Sequence, residues 1–184
     1  MQYATYIGGV GTNGQTNLIA PAQGFLVQAN AAPTFSVDNP ARVHANPPFY
    51  KESPADLVRL NLSGAGQDET AIYFNDNATN EFDGMYDAWK LFSYEAGVSS
   101  LYSMENSINA VPASEVVPVT FVPGANGQFT INATETSDFS VVILEDLLTG
   151  ETANMLTESY TFTGNTNDDP NRFLLHFAPL GIGE

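Results

Sequence analysis

The sequence predicts an all-β protein. It divides into a jelly-roll-like β-sandwich over residues 1–110 and an immunoglobulin-like β-sandwich over residues 111–184, with one short helix near 80–92. Three observations predict this. Strand-length stretches alternate apolar and polar residues; clusters of Gly, Pro, Asn and Asp separate them; and the strand rhythm restarts at Glu115 after the link Asn109-Ala110-Val111-Pro112-Ala113. Short alternating strands between turn signals are the pattern of sandwiches and jelly rolls.

In order along the chain, Gly9-Val10-Gly11-Thr12-Asn13-Gly14 spells G-x-G-x-x-G, but a segment containing Pro21 and no helical period follows. A dinucleotide site needs a helix there, so a glycine-rich loop is the better reading. In Asp56–Leu62, Val58, Leu60 and Leu62 face one way and Arg59 and Asn61 the other. Gly64-Ala65-Gly66-Gln67-Asp68 turns the chain into the next strand. Phe82, Met85, Tyr86, Trp89 and Phe92 then recur at helical spacing, with Thr79 or Asn80 as N-cap and Asp83 in the first turn. Beyond the boundary, Ala125-Asn126-Gly127 reads as an Asn-Gly turn between Phe121 and Phe129. Gln128–Ala133 places Phe129 and Ile131 inward, and Phe139–Leu144 is apolar on both faces late in its run, as a central strand is. Leu148-Thr149-Gly150-Glu151 closes another hairpin. Ser159–Thr163 turns Tyr160 and Phe162 inward. The last strand turns Phe173, Leu175 and Phe177 inward and leaves Arg172, Leu174 and His176 on the outer face.

Composition narrows the function. An apolar fraction of 43% supports a substantial core in a chain of 184 residues. Five basic residues against 21 acidic ones give a formal charge of -16. That cannot supply the phosphate-neutralising stripe that nucleic acid needs, nor adhesion to anionic lipid. With no cysteine there is no disulfide, thiol nucleophile or thiolate metal site. No apolar run reaches the roughly 18 residues that span a bilayer, so no membrane insertion is expected, and the first residues do not form a signal peptide.

No catalytic constellation stands out. His44 and His176 are the two histidines; the first falls in a loop and the second decorates a sheet. Carboxylates are plentiful, but no pair is singled out for glycosidase work. Two chemistries remain. Tyr73, Tyr86, Trp89 and Tyr94, with Tyr102, offer rings that stack on sugars. Asn75, Asp76 and Asn77 with Asp83 form an oxygen-rich loop of the type calcium accepts, and the stretch from Asn165 to Asn171 is a second. Neither matches the EF-hand spacing, and Asn, Asp and Gly are also ordinary turn formers. Calcium is thus the one candidate cofactor.

Ile19-Ala20-Pro21-Ala22-Gln23-Gly24-Phe25-Leu26-Val27-Gln28-Ala29 resembles the I-x-P-x-Q-G-F-x-V-x-A segment of large secreted proteins of the Bacteroidetes. Further segments resemble the same region: Arg59–Leu62; Phe82-Asp83 with Tyr86-Asp87-Ala88 and Lys90-Leu91; Leu101–Ser103; Leu144–Asp146 with Thr149-Gly150; and Tyr160 and Phe162 ahead of Arg172–Phe177. In such proteins this β-rich region lies just upstream of the C-terminal sorting domain of the type IX secretion system. The resemblance implies extracellular or cell-surface placement and a stalk-like or adhesive role, and it brings no catalytic residues. Two departures from the pattern are that the chain ends soon after the Arg172–Phe177 element and starts within the usual motif.

The expectation is therefore a non-enzymatic structural or adhesive module at the cell surface. Carbohydrate binding through exposed aromatics is the first alternative, and self-association by β-strand addition the second. Polysaccharides and other surface proteins are the expected partners.

Overall fold

The computed structural model describes residues 5–12, 17–19, 25–26, 36–42, 56–84, 86–93, 95–104, 106–111, 116–136 and 138–179. Among the described residues thirteen strands account for nearly all of the regular structure, as the alternation predicts. A hairpin of β1 (Tyr6–Ile7) and β2 (Val10–Gly11) comes first. Its turn needs positive φ at Gly8 and Gly9 (55° and 89°), which glycine adopts without strain. The first two glycines of G-x-G-x-x-G thus lie in or beside a β-turn.

The remaining strands build two sheets. They are β3 (Leu57–Gly64), β4 (Asp68–Phe74), β5 (Ala88–Trp89), β6 (Ser100–Tyr102), β7 (Asn106–Val111), β8 (Val116–Val122), β9 (Gly127–Thr134), β10 (Phe139–Asp146), β11 (Glu151–Asn154), β12 (Tyr160–Gly164) and β13 (Phe173–Pro179). One sheet has the order β12-β9-β3-β4-β7-β5 and the other β11-β10-β13-β8-β6. Every pairing in them is antiparallel except β4 with β7.

The core lies between the sheets, where the predicted inward faces meet. Val58, Leu60 and Leu62 of β3, Phe129 and Ile131 of β9 and Phe162 of β12 form one wall. Val117, Val119 and Phe121 of β8, Val142 and Leu144 of β10 and Phe173, Leu175 and Phe177 of β13 form the other. Phe121 is the hub, edge-on to Phe129 at 4.9 Å and to Phe162 at 5.2 Å. Such edge-to-face pairs add roughly 1 kcal/mol each beyond their buried area. Gly64 closes the β3–β4 corner at φ 109°, where a Cβ would strike the Gln128 carbonyl. On the outer face of the six-stranded sheet a smaller cluster of Val10, Leu57, Ala71, Tyr73 and Ala78 seats the N-terminal hairpin. Arg59 fastens that hairpin by donating to the Gly11 carbonyl at 2.5 Å while pairing with Glu69 and Glu135.

The structure corrects the sequence reading at four points. Residues 1–110 and 111–184 do not form two sandwiches. Ladders β3–β9 and β6–β8 join them in both sheets, and one core cluster draws on both. Among the described residues the second half places strands in each sheet, and the first half extends those same sheets, with β6 in one and β3, β4, β5 and β7 in the other. Second, Asn126-Gly127 does not close a hairpin: β8 and β9 belong to different sheets, so the turn arches across the core.

Third, no helix forms among the described residues near 80–92; the only helical element they contain is a three-residue 3-10 turn, Asn39–Ala41. The Asp83 carbonyl accepts the Tyr86 and Asp87 amides at 2.9 and 2.7 Å, and the Asp87 carboxylate turns back to accept the Asp83 amide at 2.6 Å. One turn is closed, and Ala88–Trp89 then leaves it to pair with β7. Fourth, Arg172 is buried, because it precedes β13 and does not share that strand's alternation. Among the described residues no helix is long and apolar enough to cross a membrane.

Candidate functional site

The β5 edge of the six-stranded sheet carries exposed aromatic side chains. Trp89, on the edge strand β5, is 37% exposed, and Phe82 lies flat against it, with ring centroids 3.9 Å apart and planes 9° from parallel. The irregular pairing between Ala88 and Trp89 precedes a buried Lys90, after which Leu91 and Phe92 emerge again, Phe92 being 49% exposed. Phe92 meets Tyr102 of β6 edge-on at 5.3 Å. The single turn at Asp83, rather than a helix, brings Phe82 back beside Trp89.

The predicted sugar-binding rings part company here. Trp89 is exposed. Tyr73 is buried at 3% exposure on β4, where its hydroxyl donates to the Tyr86 carbonyl at 3.1 Å. Burial, reinforced by the negative charges of Asp87, Tyr86 and Asp83, pushes the Tyr73 phenol up to about 12. Tyr86 packs half-buried against the cluster beneath the hairpin. Tyr94 lies outside the described residues. Tyr73 and Tyr86 are therefore packing residues, and the stacking partner that sequence reasoning assigned only to a helix face is Phe82.

The oxygen-rich loop organises itself. Asn75 Oδ1 accepts the Asn77 amide at 3.0 Å and its side-chain Nδ2 at 3.3 Å, while the Asn75 carbonyl accepts the Ala78 amide. Asp76 and Asn77 are exposed, and Asp83 is tied into its own turn. Among the described residues no three His, Asp or Glu side chains converge as a metal site. In the second loop, the Asp168 carboxylate accepts the Asn165 amide at 2.9 Å and also faces Arg172.

Two buried ion pairs, each formed within one sheet, take a further hydrogen bond from the opposite sheet, and neither is visible as a local motif. At the end of β10, Asp146 accepts from Arg172 Nε at 2.9 Å and Nη2 at 2.7 Å, from the Tyr160 hydroxyl at 2.8 Å and from the Leu148 amide at 3.0 Å. Burial alone would raise this carboxyl. The bonds from Arg172, Tyr160 and Leu148, with the Arg172 charge, outweigh burial and hold it below its usual range. The guanidinium also lies 4.5 Å over the Phe162 ring. Burial pushes the Tyr160 hydroxyl up to about 12, and its acidic neighbours Asp146 and Glu151 add to the shift. At the start of β4, Asp68 Oδ2 contacts Lys90 Nζ and accepts the Leu101 amide of β6 at 2.7 Å; its Oδ1 accepts no hydrogen bond.

These pairs shape the surface as well. Three of the five basic residues, Arg59, Lys90 and Arg172, are engaged by carboxylates. With those cations engaged, the chain of net charge -16 carries a large excess of acidic side chains. The arrangement suits a neutral or cationic partner that stacks on rings.

No curated protein and no solved structure matches the chain. A family model described as a domain of unknown function, DUF8693, matches residues 1–177. This match spans nearly the whole sandwich, and the chain belongs to the DUF8693 family.

Proposed function

We propose that this sandwich is a non-catalytic structural and adhesive module of a secreted or cell-surface protein, engaging its partner through the Phe82–Trp89 edge. The observation that carries the reading is the flat Phe82–Trp89 stack on an exposed edge strand of an otherwise acidic molecule. A stack fixed against its own neighbour loses little side-chain entropy on contact, which is what an adhesive surface needs. The resemblance to the β-rich region upstream of type IX sorting domains supports the cell-surface placement.

Polysaccharide binding is a second reading, and the exposed indole favours it, because sugar rings pack on such faces. Trp89 is the only tryptophan, so its fluorescence reports this edge alone. The test is a titration of the protein with a panel of neutral and acidic polysaccharides and candidate surface proteins, each with and without calcium. A saturable shift whose affinity falls in Phe82→Ala, which keeps the indole as reporter, supports the edge as the contact, and the effective ligand separates glycan from protein adhesion. No shift across the panel overturns the aromatic-edge reading. A turnover abolished by replacing one carboxylate overturns the non-catalytic one. Self-association through the free edge of β12 predicts a sedimentation coefficient that rises with concentration.

A further inference from the structure

We propose that Lys90 and Asp68 condense to an intramolecular amide, an isopeptide cross-link joining the first residue of β4 to the segment that follows β5. Both side chains are withdrawn from water, at 5% and 0% exposure, and Nζ is already in contact with the carboxyl group. Only one carboxyl oxygen is engaged: Oδ2 receives Nζ and the Leu101 amide, while Oδ1 has no hydrogen-bond partner. Buried carboxylates that serve only as structural ion pairs use their remaining lone pairs, since an unsatisfied buried oxygen is unfavourable. An oxygen left bare beside an amine is instead the arrangement a leaving group requires.

The chemistry balances without an oxidant or cofactor. In water an amine and a carboxylic acid exist as ammonium and carboxylate and do not condense. In a dry site charge separation is unfavourable, and the proposed reaction starts when Nζ gives a proton to the carboxyl group it touches at Oδ2, the proton then residing on the bare Oδ1 so that an amine faces an acid. Burial acts on Lys90 in this direction, lowering its proton affinity against the opposing pull of Asp68 and Glu69. The Nζ lone pair then attacks Cγ and forms the Nζ–Cγ bond. Negative charge gathers on Oδ2, where the Leu101 N–H already donates. Oδ1, carrying its first proton, takes a second from Nζ and departs as water as the Cγ–Oδ1 bond breaks. One amide and one water result, and no atom changes oxidation state. Fixing Asp68 on β4 and Lys90 in the buried position just after β5 supplies the proximity that replaces external activation.

The test is the intact mass of the purified full chain under denaturing conditions, followed by proteolytic mapping. The expected result is a mass lower than the sequence mass by one water, with the Asp68 peptide and the Lys90 peptide recovered as one branched species. Lys90→Arg and Asp68→Ala should each restore the mass of their own sequence. A wild-type chain at its full sequence mass overturns the proposal and leaves an ordinary buried ion pair. A water lost within a single unbranched peptide, as succinimide formation would give, overturns it equally. Both decisive readings are made on the wild-type protein, so neither depends on a variant that folds.

Discussion

Asp146 and Asp68 both sit at strand ends, both are buried, and each meets a basic side chain of its own sheet and one donor from the opposite sheet, yet their surroundings differ in one respect. Asp146 receives four hydrogen bonds on two oxygens, two of them from the planar fork of Arg172. Asp68 receives its contacts on one oxygen, from the point charge of Lys90 and a single amide. Arg fits a carboxylate at both oxygens and keeps its charge under all ordinary conditions; Lys does neither. Burial therefore gives a fixed clamp in one place and a reactive pair in the other. Two ion pairs of the same formal charge, in one core, are set apart by how many lone pairs are used.

Removing the clamp's cation should have the largest effect. Arg172→Met retains bulk over Phe162 but leaves Asp146 charged and unpaired; the loss should be about 3–5 kcal/mol, read from urea unfolding. Tyr160→Phe deletes one of the four bonds and should cost about 1.5–3 kcal/mol by the same measurement. If the two substitutions prove equal, Asp146 is not held chiefly by the guanidinium and the contrast with Asp68 fails.

The pH dependence sharpens the same point. The native Asp146 carboxyl titrates below its unfolded value, so the unfolded chain binds more protons in the acid range and stability falls as pH drops. The contribution is complete above the unfolded value of about 4 and is lost as pH passes down through the lower native value. Urea midpoints measured down the acid range should fall less steeply in Tyr160→Phe than in the wild type. The smallest effect belongs to Trp89→Ala, which replaces neither member of either ion pair. Loss of its stack with Phe82 should cost about 1 kcal/mol, read from urea unfolding followed by circular dichroism.

Much of the sandwich was legible because alternation is a local property. Val58, Leu60 and Leu62, Phe129 and Ile131, and Phe173, Leu175 and Phe177 are buried as their period-two pattern requires. What alternation does not specify is which strand each face meets, so the division at 110 and the Asn126-Gly127 hairpin both failed at the level of pairing. The aromatic spacing from Phe82 to Phe92 fits a helical period, but Asp87 folding back on the Asp83 amide and β7 offering a pairing edge outweighed that preference. Of the candidate edge, Trp89 was legible and Phe82 was not assigned there, since a stack between residues seven apart depends on the turn between them. Asp68 and Lys90 meet across 22 residues and Asp146 and Arg172 across 26. The one local hint was a lysine set between Trp89 and Leu91-Phe92 in a chain with few cations.

The strand order has a consequence for how the chain acquires its shape. β13 comes last in sequence but lies between β10 and β8 in its sheet. Until residues 173–179 are in place, β11–β10 and β8–β6 are separate pairs with unfilled edges toward each other. Formation must await long-range closure, and folds dominated by such contacts typically form in milliseconds to seconds rather than microseconds. The interval exposes unpaired strand edges, the species most prone to aggregation. Chains shortened before Phe173 should therefore accumulate as aggregates rather than as smaller folded domains, and refolding should proceed as a single late closure with β13 as its final member.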